Sequence, residues 1–117
     1  MRTKAFALQI ADLCDSLPTK RSARIFEDQA LRSGASVGAH YREGCRGRST
    51  AEFITKLEVG LQELEETAYW HELIVGGNLA AESQVAPILR EANELTSIFV
   101  ASVVTAKRRA NREKEKR

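Results

Sequence analysis

Between Ala30 and Tyr41 the chain reads Ala-Leu-Arg-Ser-Gly-Ala-Ser-Val-Gly-Ala-His-Tyr, a run of small residues inside what otherwise patterns as one long helix. Gly34 and Gly38 each forgo about 1 kcal/mol of helix propensity relative to alanine, so a helix that keeps both is expected to recover it through close approach of a neighbour. Ala30, Gly34 and Gly38 lie four residues apart and share one face. The chain is therefore expected to fold as helices packed tightly along their lengths.

The remaining periodicity agrees. Phe6, Ile10, Leu13 and Leu17 set a first helix over about Thr3 to Leu17, stopped by Pro18. A second spans about Lys20 to Cys45 and ends among Gly44 and Gly47. Ser49-Thr50-Ala51-Glu52 has capping-box spacing and opens a third, which carries Phe53, Leu57, Leu61, Leu64, Ala68 and Leu73 to a stop at Gly76-Gly77. A fourth opens near Ser83, tolerates Pro87 in or just after its first turn, and repeats Val85, Leu89, Ala92, Leu95, Phe99 and Val103 at nearly heptad spacing. No alternating run argues for a strand. Short connections favour antiparallel neighbours, so the expected fold is all-α, an up-down-up-down four-helix bundle over residues 1–106 with a basic helix extension or tail over 107–117.

With 117 residues, 43% of them hydrophobic and 29% charged, one globular domain with one core is expected. No apolar run is long enough to span a bilayer, and Gln9 and Asp12 interrupt any signal-peptide core, so a cytoplasmic protein with no membrane association is expected. Cys14 and Cys45 form no Cys-x-x-Cys pair and read as small buried hydrophobes.

A hairpin of the second and third helices about Gly47 and Arg48 places residues whose numbers sum to about 95 at one level. That register sets Arg32 beside Glu63 and Gln29 beside Glu66, a polar pairing set. It also brings Ala35 to Gly60, Ala39 to Lys56, Phe26 to Tyr69 and Ile25 to Trp70. Ala30, Gly34, Gly38 and Gly60 are then the close-packing positions between the two helices. The polar set is either a group of solvated surface ion pairs or a partly buried device that fixes alignment.

The net charge of +2 conceals segregation: residues 1–48 carry +4, residues 49–106 carry −7 and residues 107–117 carry +5. The bundle topology gathers the start of the first helix, the turn after the second and the end of the fourth at one pole. Arg2, Lys4, Arg42, Arg46, Arg48, Lys107, Arg108, Arg109, Arg112, Lys114, Lys116 and Arg117 would meet there. Clustered cations of this kind neutralise phosphates, and Arg42, Arg46, Arg48, Lys107, Arg108, Arg109 and Arg112 are the candidate nucleic-acid-binding residues. The competing reading is a solvated helix end with Arg109–Glu113 and Glu113–Arg117 pairs. No aromatic residue is interleaved with the tail cations, so the tail itself gives no support for base stacking.

Other chemistry finds little footing. Glu63, Glu65, Glu66 and Glu72 crowd the third helix, but a di-iron bundle needs Glu-x-x-His pairs on two helices and the chain has none. No metal and no cofactor are expected. Nucleophile triads, P-loops and dinucleotide fingerprints are also missing from the pattern, so no enzyme is expected. His40 and His71 read as packing or interface residues and Tyr69-Trp70 as a core or interface anchor.

Leu17-Pro18, Gln29, Leu31-Arg32-Ser33-Gly34, Ser36-Val37-Gly38-Ala39, Tyr41-Arg42-Glu43, Glu52-Phe53-Ile54, Lys56, Glu63, Glu66-Thr67, Tyr69-Trp70, Glu72-Leu73, Glu94-Leu95 and Ile98 together resemble the four helix bundle proteins related to the 23S ribosomal RNA intervening-sequence protein. The resemblance covers about residues 5–107. It implies a small bacterial protein that assembles as a homopentamer, five bundles closing a ring. It also implies association with insertions in large ribosomal RNA genes. A similar fold serves as the accessory protein of diversity-generating retroelements, with a reverse transcriptase and nucleic acid as partners. The chain departs from the family pattern at His40, usually Asn, and in the basic, glycine-rich turn Gly44-Cys45-Arg46-Gly47-Arg48. Two functions are expected to compete: a nonenzymatic homo-oligomer binding RNA or DNA phosphates through the basic pole, or a structural or adaptor ring for a protein partner such as a reverse transcriptase.

Overall fold

In the computed structural model, which describes residues 1–116, four antiparallel helices follow one another: α1 (Arg2–Asp15), α2 (Arg21–Cys45), α3 (Thr50–Gly76) and α4 (Glu82–Glu115). Each packs along its length on its two ring neighbours, with α1 closing back onto α4, and across the α2–α4 diagonal the Tyr41 and Phe99 rings meet with centroids 5.7 Å apart. The bundle is 59 × 21 × 21 Å. The buried face of α3 is Leu57, Gly60, Leu64, Thr67, His71 and Ile74; that of α4 is Val85, Ile88, Ala92, Leu95, Phe99, Val103 and Ala106. Both proceed by steps of three and four, strictly alternating in α3 and with two successive fours at Leu95, Phe99 and Val103 in α4, the seam that antiparallel packing needs. Phe6, Ile10 and Leu13 of α1 complete the core.

The helix ends show where local chemistry differs from expectation. α1 stops at Asp15 rather than Leu17, because the residue before Pro18 is steered away from helical dihedrals. Ser49 caps α3 as expected, its hydroxyl accepting the Glu52 N–H at 3.1 Å, but the Glu52 carboxylate accepts from the Arg48 N–H at 3.0 Å rather than from Ser49 itself. α4 opens at Glu82, one residue early, so Pro87 falls in its second turn, opposite the carbonyl of exposed Ser83.

The stop of α3 is a Schellman motif whose left-handed residue is Asn78, at φ 59°, and not either glycine. The Leu79 N–H donates to the Ile74 carbonyl and the Asn78 N–H to the Val75 carbonyl, both at 3.0 Å, and the Leu79 and Ile74 side chains are buried. Asn78→Gly should keep full stability, whereas Asn78→Ala should lose about 1 kcal/mol in urea denaturation, since alanine has no short polar group to offset the left-handed strain. Equal stability of the two variants would contradict this account.

The glycines make the close approaches, with different neighbours from those the hairpin register suggested. Gly34 faces α1, where an added Cβ would overlap the tip of Ile10, and Gly38 faces Thr3 of α1, whose Oγ1 would lie 3.1 Å from it. Gly60 faces α4, with an added Cβ 2.8 Å from Cε2 of Phe99. Gly34, Gly38 and Gly60 thus each admit a side chain from the helix on their other side, and the close approach of α2 to α3 falls instead at Gly44, where an added Cβ would lie 3.0 Å from Leu57 and 3.5 Å from the Phe53 carbonyl oxygen. Ala30 is fully buried on the same stripe of α2.

Candidate nucleic-acid interface

Beside the apolar core that α2 and α3 share runs a set of polar links. Arg32 gathers the other three members of the expected set: its Nε donates to Gln29 Oε1 at 2.9 Å, its Nη1 lies 3.5 Å from Glu63 Oε2, and its Nη2 donates to Glu66. The hydrogen bond to Glu66, with the charge of Glu63 nearby, raises the pKa of the guanidinium above its ordinary value. Arg32 is about half exposed, so this is a partly solvated cluster. One residue along lies a buried link that periodicity did not reveal, a 2.8 Å hydrogen bond from Thr67 Oγ1 to Ser33 Oγ. Both hydroxyls also reach carbonyls one turn back in their own helices, so neither is left without a partner. Nearer the turn, Lys56 pairs with Glu43 at 2.7 Å. Phe26 stacks on Trp70, with centroids 6.1 Å apart, rather than on Tyr69, which is exposed.

These links fix which residues reach the pole where α2 turns into α3. Arg48 from the turn and Arg109 from α4 line one cleft of about 750 Å³. Arg42 and Arg46 line the adjoining concavity with Met1, Tyr41 and Cys45. Arg108 and Arg112 are exposed on α4, while Lys107 leans back to Glu58 at 3.5 Å. Lys4 shares a small depression with Arg42. Arg2 does not join them: its guanidinium donates to Glu91 at 2.6 and 3.0 Å and to Glu94 at 2.6 Å, closing α1 onto α4. The Arg109–Glu113 pair does not form; among the described residues neither the Arg48 nor the Arg109 guanidinium pairs with a carboxylate, although Glu52 accepts from the Arg48 backbone N–H. Arg117, and with it the Glu113–Arg117 pair, lies outside the described residues.

The rest of the cleft is lined by Gly44, Phe53, Ala101, Thr105 and Ala106 among others. Phe53 read in sequence only as a core position, and nothing in a helical repeat could show that it would stand across from an arginine 56 positions later. Cys45 also lines the cleft and is exposed, contrary to the expectation of burial, whereas Cys14 is buried and its thiol is pushed up to about 11 by desolvation and the nearby Glu27. The Tyr41 hydroxyl is held above its usual range by the Cys45 thiol beside it. Both cysteines are unpaired. Among the described residues no group of His, Cys, Asp and Glu side chains is arranged to hold a metal ion, and no helix is long and apolar enough to cross a membrane.

Residues 1–101 match the family described as 23S rRNA-intervening sequence protein. No curated protein matches the chain. Among solved structures it is similar to a protein of unknown function from the S23 ribosomal protein family of Bacteroides thetaiotaomicron VPI-5482, at 31% identity and a TM-score of 0.81, covering 87% of this chain and 94% of that one. The resemblance of the polar and glycine positions, the four-helix architecture and the match over most of the chain lead to one assignment: the chain belongs to the 23S rRNA-intervening sequence protein family.

Proposed function

We propose that this protein is a nonenzymatic, ring-forming cytoplasmic protein that associates with nucleic acid by holding RNA or DNA phosphates at its basic pole. The observation that carries the reading is the convergence of the Arg48 and Arg109 guanidiniums on one cleft, without carboxylate partners among the described residues, beside Arg42 and Arg46. Cations already neutralised in pairs would add little; free ones release counterions from a phosphate backbone. Self-association is supported by exposed apolar side chains on separate faces, Leu8 and Leu31 on α1 and α2 and Ile98, Val100 and Val104 on α4. Two unlike faces that pair head to tail close into a ring, and the family resemblance points to five copies. A ring would present the pole several times over and raise avidity.

The test is anisotropy titration of unrelated RNA and DNA oligonucleotides over a range of salt. Log affinity should fall linearly with log salt, and removing Arg48, Arg109 and Arg112 together should flatten the slope by roughly 0.7 for each phosphate no longer neutralised on single strands. No binding at low salt overturns the reading, and light scattering checks the subunit number.

A second reading has its own support. Glu58, Gln62, Glu65, Tyr69 and Glu72 form an exposed stripe along α3. Such a stripe repels phosphate and suits a basic protein partner, such as a reverse transcriptase, bound by an adaptor ring.

A further inference from the structure

The cleft at the pole is larger than a phosphate site requires and is lined by an aromatic ring as well as by cations. We infer that it seats one unpaired nucleotide, with its base against Phe53 and its phosphate between Arg48 and Arg109, so that the protein selects single-stranded over duplex nucleic acid. The inference rests on the nucleic-acid reading above and goes beyond it in naming the form of the ligand.

Three observations meet here. The volume of about 750 Å³ far exceeds an ion and accommodates a base with its sugar and phosphate. The two guanidiniums approach from different elements, Arg48 from the α2–α3 turn and Arg109 from α4, and no carboxylate lines the cleft among the described residues. The same lining holds the partly buried Phe53 ring with Gly44, Ala101 and Ala106, a face for a flat ring, and the hydroxyls of Ser49, Thr50, Ser102 and Thr105, which can hydrogen-bond a base edge or sugar. Cations beside an aromatic face are the combination that single-strand binders use, because every base has a π-face and every nucleotide a charge. In a duplex the bases are stacked inside and unavailable, so Phe53 could contribute nothing there. In the sequence no aromatic residue is interleaved with the tail cations, so stacking had no support there; the fold supplies an aromatic ring from α3.

The test uses the full chain and a short fluorescein-labelled oligoribonucleotide, offered as a single strand and as a duplex. Phe53→Leu keeps apolar bulk against the core and removes the stacking face. It should weaken single-strand binding about tenfold, leaving the salt slope and duplex binding unchanged. Arg48→Ala should weaken both forms and flatten the slope. Circular dichroism confirms that each variant is folded.

Cys45 gives an independent readout on the unaltered protein, since it lines the cleft while Cys14 is buried. Its alkylation by iodoacetamide should slow on adding the single strand and not the duplex. Equal weakening on both probes, unchanged binding with Phe53→Leu, or an unprotected Cys45 overturns the nucleotide seat while leaving phosphate binding intact. Failure of the unaltered protein to bind either probe at low salt overturns both readings.

Discussion

Gly60→Val should destabilise the bundle by about 3 kcal/mol, read as a lowered urea midpoint with an unchanged slope. The neighbour decides the size of the effect. At Gly34 an added methyl meets the end of an isoleucine that can rotate, but at Gly60 it meets Cε2 at 2.8 Å and Cδ2 at 3.3 Å of the Phe99 ring. Phe99 is 2% exposed and lies against Tyr41, with centroids 5.7 Å apart, so the ring has nowhere to withdraw. Valine adds branching next to the preceding turn as well. Gly60→Ala should cost less, about 1 kcal/mol, because the gain in helix propensity offsets part of the clash. Phe99→Leu should then be less harmful in the Gly60→Ala background than alone, a coupling that a double-mutant cycle measures. Gly76 is the internal comparison: nothing lies within 4 Å of its added Cβ, so Gly76→Ala should be neutral or stabilising. A Gly60→Val protein as stable as the parent would mean that α3 and α4 do not approach as described.

Charging position 71 should be as damaging. His71 is fully buried; its Nδ1–H donates to the Thr67 carbonyl at 2.7 Å, and its Nε2 has no hydrogen-bond partner. Only the neutral ring suits that site. Desolvation holds its pKa below the ordinary histidine value, outweighing the Thr67 carbonyl, which acts in the opposite direction. The unfolded chain therefore binds more protons just below about pH 6.5. Stability from this group is complete above that pH and is lost as pH falls toward the lowered value in the folded state. Glu43 and Glu91, held low by Lys56 and Arg2, withdraw their contributions only in the more acidic carboxylate range. Thermal melts from neutral to mildly acidic pH should show a falling midpoint that His71→Leu flattens. His71→Lys, which places an ammonium there, should cost about 3 kcal/mol or more at neutral pH. A midpoint indifferent to pH in this window would contradict the account.

The helices were legible because α3 and α4 bury residues at steps of three and four along their lengths, and the pole was legible because a single tight turn at Gly47 and Arg48 fixes the register that sets Arg32 near Glu63 and Glu66. Periodicity assigns a residue to a face but does not say which neighbour the face meets. That is why Gly34, Gly38 and Gly60 share the property of close packing and yet contact α1 and α4. Asn78 escaped notice because two glycines stood just before it, and a helix stop is set by dihedrals that composition only suggests. The cleft depends on residues from three elements, Gly44, Phe53 and Arg109, whose proximity is a product of the whole bundle.

The clasp of Arg2 on Glu91 and Glu94 has a consequence for opening of the bundle. α1 is the shortest rod, and Ile10 lies against α2 where Gly34 has no side chain of its own. If α1 lifts, it carries Phe6, Ile10 and Leu13 out of the core, so the detached form would be a three-rod intermediate with an open apolar seam. The ion clasp thus works as a latch on the first segment to exchange its amide protons, and a peptide appended ahead of Met1 would load that latch directly, whereas a reporter at Glu82 would leave it closed.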